Sequence, residues 1–83
     1  MNVRVKLFAR ARDLAGTGEL LVPLTEGATV AELRRALAVV CPALAGLLAR
    51  SAVALNDDFA ADAVILPENA EVALLPPVSG GDP

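Results

Sequence analysis

The sequence predicts an α+β fold, a mixed sheet of about five strands packed on one main helix. Three observations carry that reading. Short runs of apolar residues alternate with polar ones near both ends of the chain, which is the period of a half-buried strand. One stretch only, TVAELRRALAVV at 29–40, has the three-and-four spacing of a long amphipathic helix. The runs arrive in the order β, β, α, β, short β, β, and such an order packs a helix across one face of a mixed sheet.

The elements follow from local chemistry. In Met1–Phe8, Val3, Val5 and Leu7 share one parity while Arg4, Lys6 and Phe8 share the other, as on a strand with one buried face. Arg10 to Leu14 forms a short helical turn, closed by Gly16-Thr17-Gly18. Leu20, Val22 and Leu24 then alternate with Glu19, Leu21 and Pro23, and a proline facing outward suits an edge strand that needs no N–H there. Thr29 with Glu32 three residues on is a capping box. It opens a helix with an apolar face of Val30, Leu33, Leu37 and Val40, and with Glu32, Arg34 and Arg35 turned outward. Pro42 stops it, and Leu44, Leu47 and Leu48 mark a further short helical piece ending near Arg50. Ser51–Leu55 returns to strand, Asn56-Asp57-Asp58 turns, and Phe59–Leu66 holds a short strand or an irregular crossing. Pro67-Glu68-Asn69 is a second turn, and Glu71–Leu75 the last strand. The simplest closed arrangement of this order is the β-grasp, the fold of ubiquitin-like proteins, which implies that the first and last strands lie side by side at the sheet centre.

Composition removes several classes of function. With 83 residues there is room for one domain, near the lower limit at which a single apolar core suffices. The chain is 55% hydrophobic but only 2% aromatic, so its core is built of small aliphatics that leave few residues for a ligand pocket. A net charge of −3 and a pI near 4.7 argue against nucleic acid, where clustered cations and stacking aromatics are needed. No apolar run approaches the roughly 20 residues of a membrane-spanning helix, and MNVRVKLFAR lacks the continuous apolar segment of a secretory signal. A single cysteine forms no internal disulfide, which makes a cytoplasmic location the expectation. Histidine, tryptophan and tyrosine are absent, so histidine-based dyads and the usual zinc sites are excluded.

The chain ends LLPPVSGGDP. Pro76 and Pro77 fix φ near −65° and favour an extended path, which lowers the entropy lost when a tail is captured. Six residues from Pro76 to Gly81 reach about 20 Å at roughly 3.3 Å each, enough to enter a buried active site. Gly80 and Gly81 carry no Cβ and so pass a narrow channel. The division this suggests is a β-grasp domain at 1–75 and an extended tail at 76–83. A frayed glycine-rich end is the plain alternative, which the adjacent Pro-Pro disfavours. If the first and last strands are neighbours, Phe8 and Leu75 share one exposed surface near the start of the tail. Scattered surface apolars are common, but a contiguous patch beside an extended tail more often marks a protein partner.

These residues carry a resemblance over nearly the whole chain. LFARARDLAG at 7–16, the capped TVAELRRAL helix, the VALND segment and above all LLPPVSGG at 74–81 resemble the sulfur-carrying small subunits of molybdopterin synthase, members of the ubiquitin-like β-grasp superfamily. The resemblance implies a sulfur carrier of molybdenum cofactor biosynthesis with no catalytic side chains of its own. An E1-like activating enzyme, using ATP and Mg, would adenylate the terminal carboxylate of Gly81, and sulfur would replace the AMP to give a thiocarboxylate. The large subunit would then take in the tail (Pro76, Pro77, Val78, Ser79 and Gly80) and pass the sulfur to a pterin precursor as dithiolene. By the same resemblance Phe8 and Leu75 dock the partner, and Phe59 either extends that surface or is buried. No cofactor is expected on this chain itself.

Asp82 and Pro83 depart from the family pattern, because Gly81 there owns the free carboxylate. A precursor trimmed after Gly81 by a protease, two residues foreign to the natural chain, and a fold that has lost its carrier role all remain open. So do sulfur delivery to thiamine thiazole or cysteine synthesis, and a ubiquitin-like interaction module that is never activated. Other features read more simply. Cys41, beside the apolar face and before Pro42, is a buried structural thiol. GTGELL at 16–21 lacks the third glycine of a dinucleotide loop and leads into a strand. Asp57, Asp58 and Asp62 make a solvated turn without the full calcium-loop spacing. Lys6, Arg10 and Arg12 form a solvated face or steer an acidic partner, the first being the more common case.

Overall fold

Alternating short strands on one parity build a single sheet in the computed structural model, which describes residues 1–77. Its strands are β1 (Asn2–Leu7), β2 (Glu19–Pro23), β3 (Ala52–Leu55), β4 (Asp58–Ala60) and β5 (Val72–Leu75), arranged β2-β1-β5-β3-β4. β1 runs parallel to β5, with Val5 opposite Val72, Lys6 opposite Ala73 and Leu7 opposite Leu74. The first and last strands are therefore neighbours at the centre, as the β-grasp requires. All other pairings are antiparallel. Pro23 does lie on an edge strand, exposed and opposite Asn2.

One face of the sheet is sealed by helices. Val3, Val5, Leu7, Val22, Val53 and Leu74 are all buried on it, as their parity predicts. Helix α2 (Val30–Val40) crosses this face and buries Val30, Leu33 and Leu37. Its start is the expected capping box: Thr29 Oγ1 accepts the Glu32 N–H at 3.3 Å, and Glu32 Oε1 accepts the Thr29 N–H at 2.9 Å. Pro42 opens a 3₁₀ turn (Pro42–Leu44) that leads into α3 (Ala45–Leu48), whose Leu47 and Leu48 are buried.

Two expectations for α2 need correction. Val40 is 40% exposed, because the next turn, which packs on both α2 and the β1–β2 connection, delivers the fully buried Leu44 instead. Arg34 does not face open water either. Its side chain is 19% exposed, with Nε 2.8 Å from Asp62 Oδ1. Its Nη1 donates to the carbonyls of Leu48 and Ser51, the latter at 2.6 Å. The guanidinium thus ties α2 to the turn entering β3 and to the crossing segment after β4. Asp62 lies in an exposed turn after β4, its side chain 63% accessible as a solvated turn implies, and from there it also pairs with Arg34. Ser51, expected in the strand, is instead buried with Oγ donating to the Leu47 carbonyl at 2.8 Å.

The connections explain how the sheet is held in register. Between β1 and β2 the chain makes helix α1 (Ala9–Ala15), which ends at Gly16 with φ +75°, a left-handed conformation open to glycine without a Cβ penalty. Ala9 enters that helix at φ +49°, which costs an alanine roughly 1 kcal/mol. Asn56 and Asp57, both at positive φ, form the two-residue turn joining β3 and β4. Asn56 also exchanges hydrogen bonds with Glu71, accepting its N–H at Oδ1 and donating its own N–H to the Glu71 carbonyl, and so positions the start of β5.

Candidate functional site

The face of the sheet opposite the helices is uncovered, and the register defines what it presents. Across all five strands one row reads Glu19, Lys6, Ala73, Ala54, Phe59. The next row toward the end of β5 holds Leu75 opposite Ala52, and Phe8 follows Leu7 on the adjacent strand. Phe8 is extended (φ −127°, ψ 158°), so it continues the alternation of β1 onto this face beside Leu75, as the parity argument expects. It is 44% exposed.

Phe59, for which burial and exposure stood open, is 77% exposed on the edge strand β4. Three strand spacings separate it from β1, about 14 Å in all, so the two phenylalanines bracket the face. Between them the floor is made of Ala52, Ala54 and Ala73. Ala54 is buried although it faces away from the helices. Small side chains here leave a shallow apolar bed with raised aromatic ends. Alanine carries no periodic hydrophobic signal of its own, so this bed becomes visible only once the strand partners are known.

β5 delivers the tail from the middle of the sheet. Leu75 and Pro76 are half-buried and Pro77 is exposed. The chain therefore leaves the domain at the end of a central strand, next to Phe8 and Leu75. Val78, Ser79, Gly80 and Gly81 lie outside the described residues, and with them the predicted acceptor carboxylate.

The remaining candidates sit apart from this face. Cys41, expected to be buried, is only half-buried, packed against the core at the end of α2. Arg10 and Arg12 are exposed on α1. Among the described residues no group of three His, Cys, Asp or Glu side chains converges as a metal site, and no helix is long and apolar enough to cross a membrane.

Known proteins share this architecture and most of the sequence length. The model of the ThiS family matches residues 5–81. A molybdopterin synthase sulfur carrier subunit from Arabidopsis thaliana is 33% identical over 81 residues, covering 98% of this chain and 84% of that protein. The crystal structure of small archaeal modifier protein 1 from Haloferax volcanii superposes with a TM-score of 0.83 at 34% identity, over 98% of this chain and all of that one. A chain in the complex of subunits 1 and 2 of molybdopterin-converting factor from Helicobacter pylori matches with a TM-score of 0.67 at 28% identity, covering 98% of this chain and 100% of its own.

Proposed function

The chain belongs to the ThiS family, and from that premise we propose that it is the sulfur carrier of a molybdopterin synthase, working through the carboxyl group of Gly81. The observation that supports this most is the exit of the tail. A central strand ends at Leu75, beside the apolar face, and runs directly into Pro76-Pro77. The expected order of events is chemically simple. Once the residues after Gly81 are removed by a protease, its carboxylate attacks the α-phosphate of ATP in an E1-like enzyme that uses Mg. Pyrophosphate leaves and an acyl adenylate remains. A sulfur nucleophile then displaces AMP to leave a thiocarboxylate.

In the second stage the large subunit binds the open face through Phe8, Leu75 and Phe59, and Pro76 to Gly80 lead the thiocarboxylate to the pterin precursor. Catalytic side chains belong to that partner on this reading. The stiff Pro-Pro start limits the conformations lost on insertion. Capture of a chain end joined to an apolar sheet contact is a known recognition mode. Activating enzyme and large subunit use overlapping surfaces in turn, so they compete.

Intact-mass analysis tests the chemistry. A chain ending at Gly81, incubated with the activating enzyme, ATP, Mg and a sulfur source, should gain the mass of an oxygen-to-sulfur exchange. The 83-residue chain and a Gly81→Ala variant should not, and sulfur on the 83-residue chain would overturn the requirement for a free Gly81. The likeness to a small archaeal modifier protein favours a second reading, in which the same activated terminus is joined to amines of other proteins. A Gly81-dependent ladder of heavier species in cells that make dithiolene without this chain would select it.

A further inference from the structure

Lys6 is the only lysine of the chain and lies within the open face, directly opposite Ala73 on one side and Glu19 on the other. Along its own strand the next residue on this face is Phe8. The Glu19 carboxylate opposite Lys6 forms an exposed ion pair with Arg4, Oε2 lying 3.5 Å from Nε, and none with Lys6 itself. Glu71, just before β5, forms no ion pair with it either. Among the described residues Lys6 has neither an ion-pair nor a side-chain hydrogen-bond partner. It also lines a groove of about 960 Å³ beside the apolar bed, whose other charged walls are Arg4, Glu19, Glu68 and Glu71.

We infer that Lys6 is a specificity-determining docking residue, and that the partner covering this face presents a carboxylate to it from an otherwise apolar surface. The inference rests on the proposed docking of the large subunit through Phe8 and Leu75. Covering those residues also covers Lys6, one strand position away. An ammonium taken out of water without a partner is strongly unfavourable, whereas a matched carboxylate offsets that cost and rejects partners lacking one. The groove beside Lys6 gives an acidic side chain room to reach the ammonium while the aromatic ends of the face stay in contact. Arg4, already paired with Glu19, is less available for this role.

The test measures affinity of the Gly81-terminated chain for the large subunit from the same organism, at low and high salt, for Lys6→Arg, Lys6→Met, Lys6→Glu and Phe8→Ala. Lys6→Arg should bind within about threefold of wild type, Lys6→Met about tenfold more weakly, and Lys6→Glu at least about a hundredfold more weakly. The gap between wild type and Lys6→Met should narrow as salt rises. Exchanging one partner carboxylate for lysine should restore binding to Lys6→Glu and so identify the contact. Lys6→Arg and Lys6→Met should melt near the wild-type temperature, since Lys6 is exposed, whereas Lys6→Glu sets a carboxylate opposite Glu19 and should melt slightly lower. If Phe8→Ala weakens binding while Lys6→Glu and Lys6→Met bind like wild type, the inference is wrong and the docking reading stands. If wild type does not bind, or Phe8→Ala binds equally well, the docking reading and the inference fall together.

Discussion

The two faces of the sheet are made from the same strands but obey different rules. On the helix side Val5, Leu7, Val22, Val53, Val72 and Leu74 are 2% exposed or less, and the residue types are nearly all Val and Leu. On the open side the positions in between carry Arg, Lys, Ala, Phe and Glu, together with the more exposed Leu21 and Leu75. The first face is selected by close packing, where a lost methylene leaves a void. The second face keeps apolar groups in water without a folding reason. Exposed large side chains such as Phe8 and Phe59 contribute little to stability where they stand, and the proposed docking would cover them. With the proposed docking, the comparison teaches that stability and partner binding are separable, down to alternate residues of one strand.

Substitutions can break or sharpen that separation. The largest effect on folding should come from Leu37→Ala, fully buried on α2, with a loss of about 2–5 kcal/mol in urea unfolding. In a domain whose total stability is of order 5–10 kcal/mol this is close to unfolding. Next is Arg34→Met, which leaves the Leu48 and Ser51 carbonyls without their donor and should cost about 1–3 kcal/mol by the same measurement. On the open face Phe8→Ala and Leu75→Ala should shift stability by no more than about 0.5 kcal/mol for the exposed Phe8 and about 1 kcal/mol for the half-buried Leu75. Each should nonetheless weaken titrated binding of the large subunit about tenfold, about 1.4 kcal/mol. The smallest effect expected is a gain. Ala9→Gly relieves the positive φ between Phe8 and α1, against greater unfolded-state entropy, and should raise stability by a few tenths to about 1 kcal/mol.

The same contrast decides what could be read from the sequence. Parity placed Val3, Val5 and Leu7 inward because burial imposes a strict period, and the capping box marked the start of α2 because Thr29 and Glu32 act locally. Pro23 marked an edge strand for an equally local reason. The neighbourhood of β1 and β5 followed from the fold that the element order implied. Where the reading failed, the cause was long-range. Arg34 looks like any outward cation at its helical position, and only the folded chain brings Asp62 and two carbonyls to it. Val40 continues the apolar stripe of α2, yet Leu44 from the following turn takes the core position. On the open face Phe8 and Leu75 were visible as a pair, whereas the alanine bed and the unpaired state of Lys6 depend on a register that links residues up to 67 positions apart.

The most direct measurement is made in cells whose only copy of this chain carries Gly81→Ala in an otherwise Gly81-terminated form. Molybdopterin should be absent there and restored by the Gly81 chain, with the two proteins accumulating equally. Normal molybdopterin with the alanine chain would contradict the account, because a side chain would then be tolerated at the acceptor position, where the narrow path to the reacting carbonyl requires none.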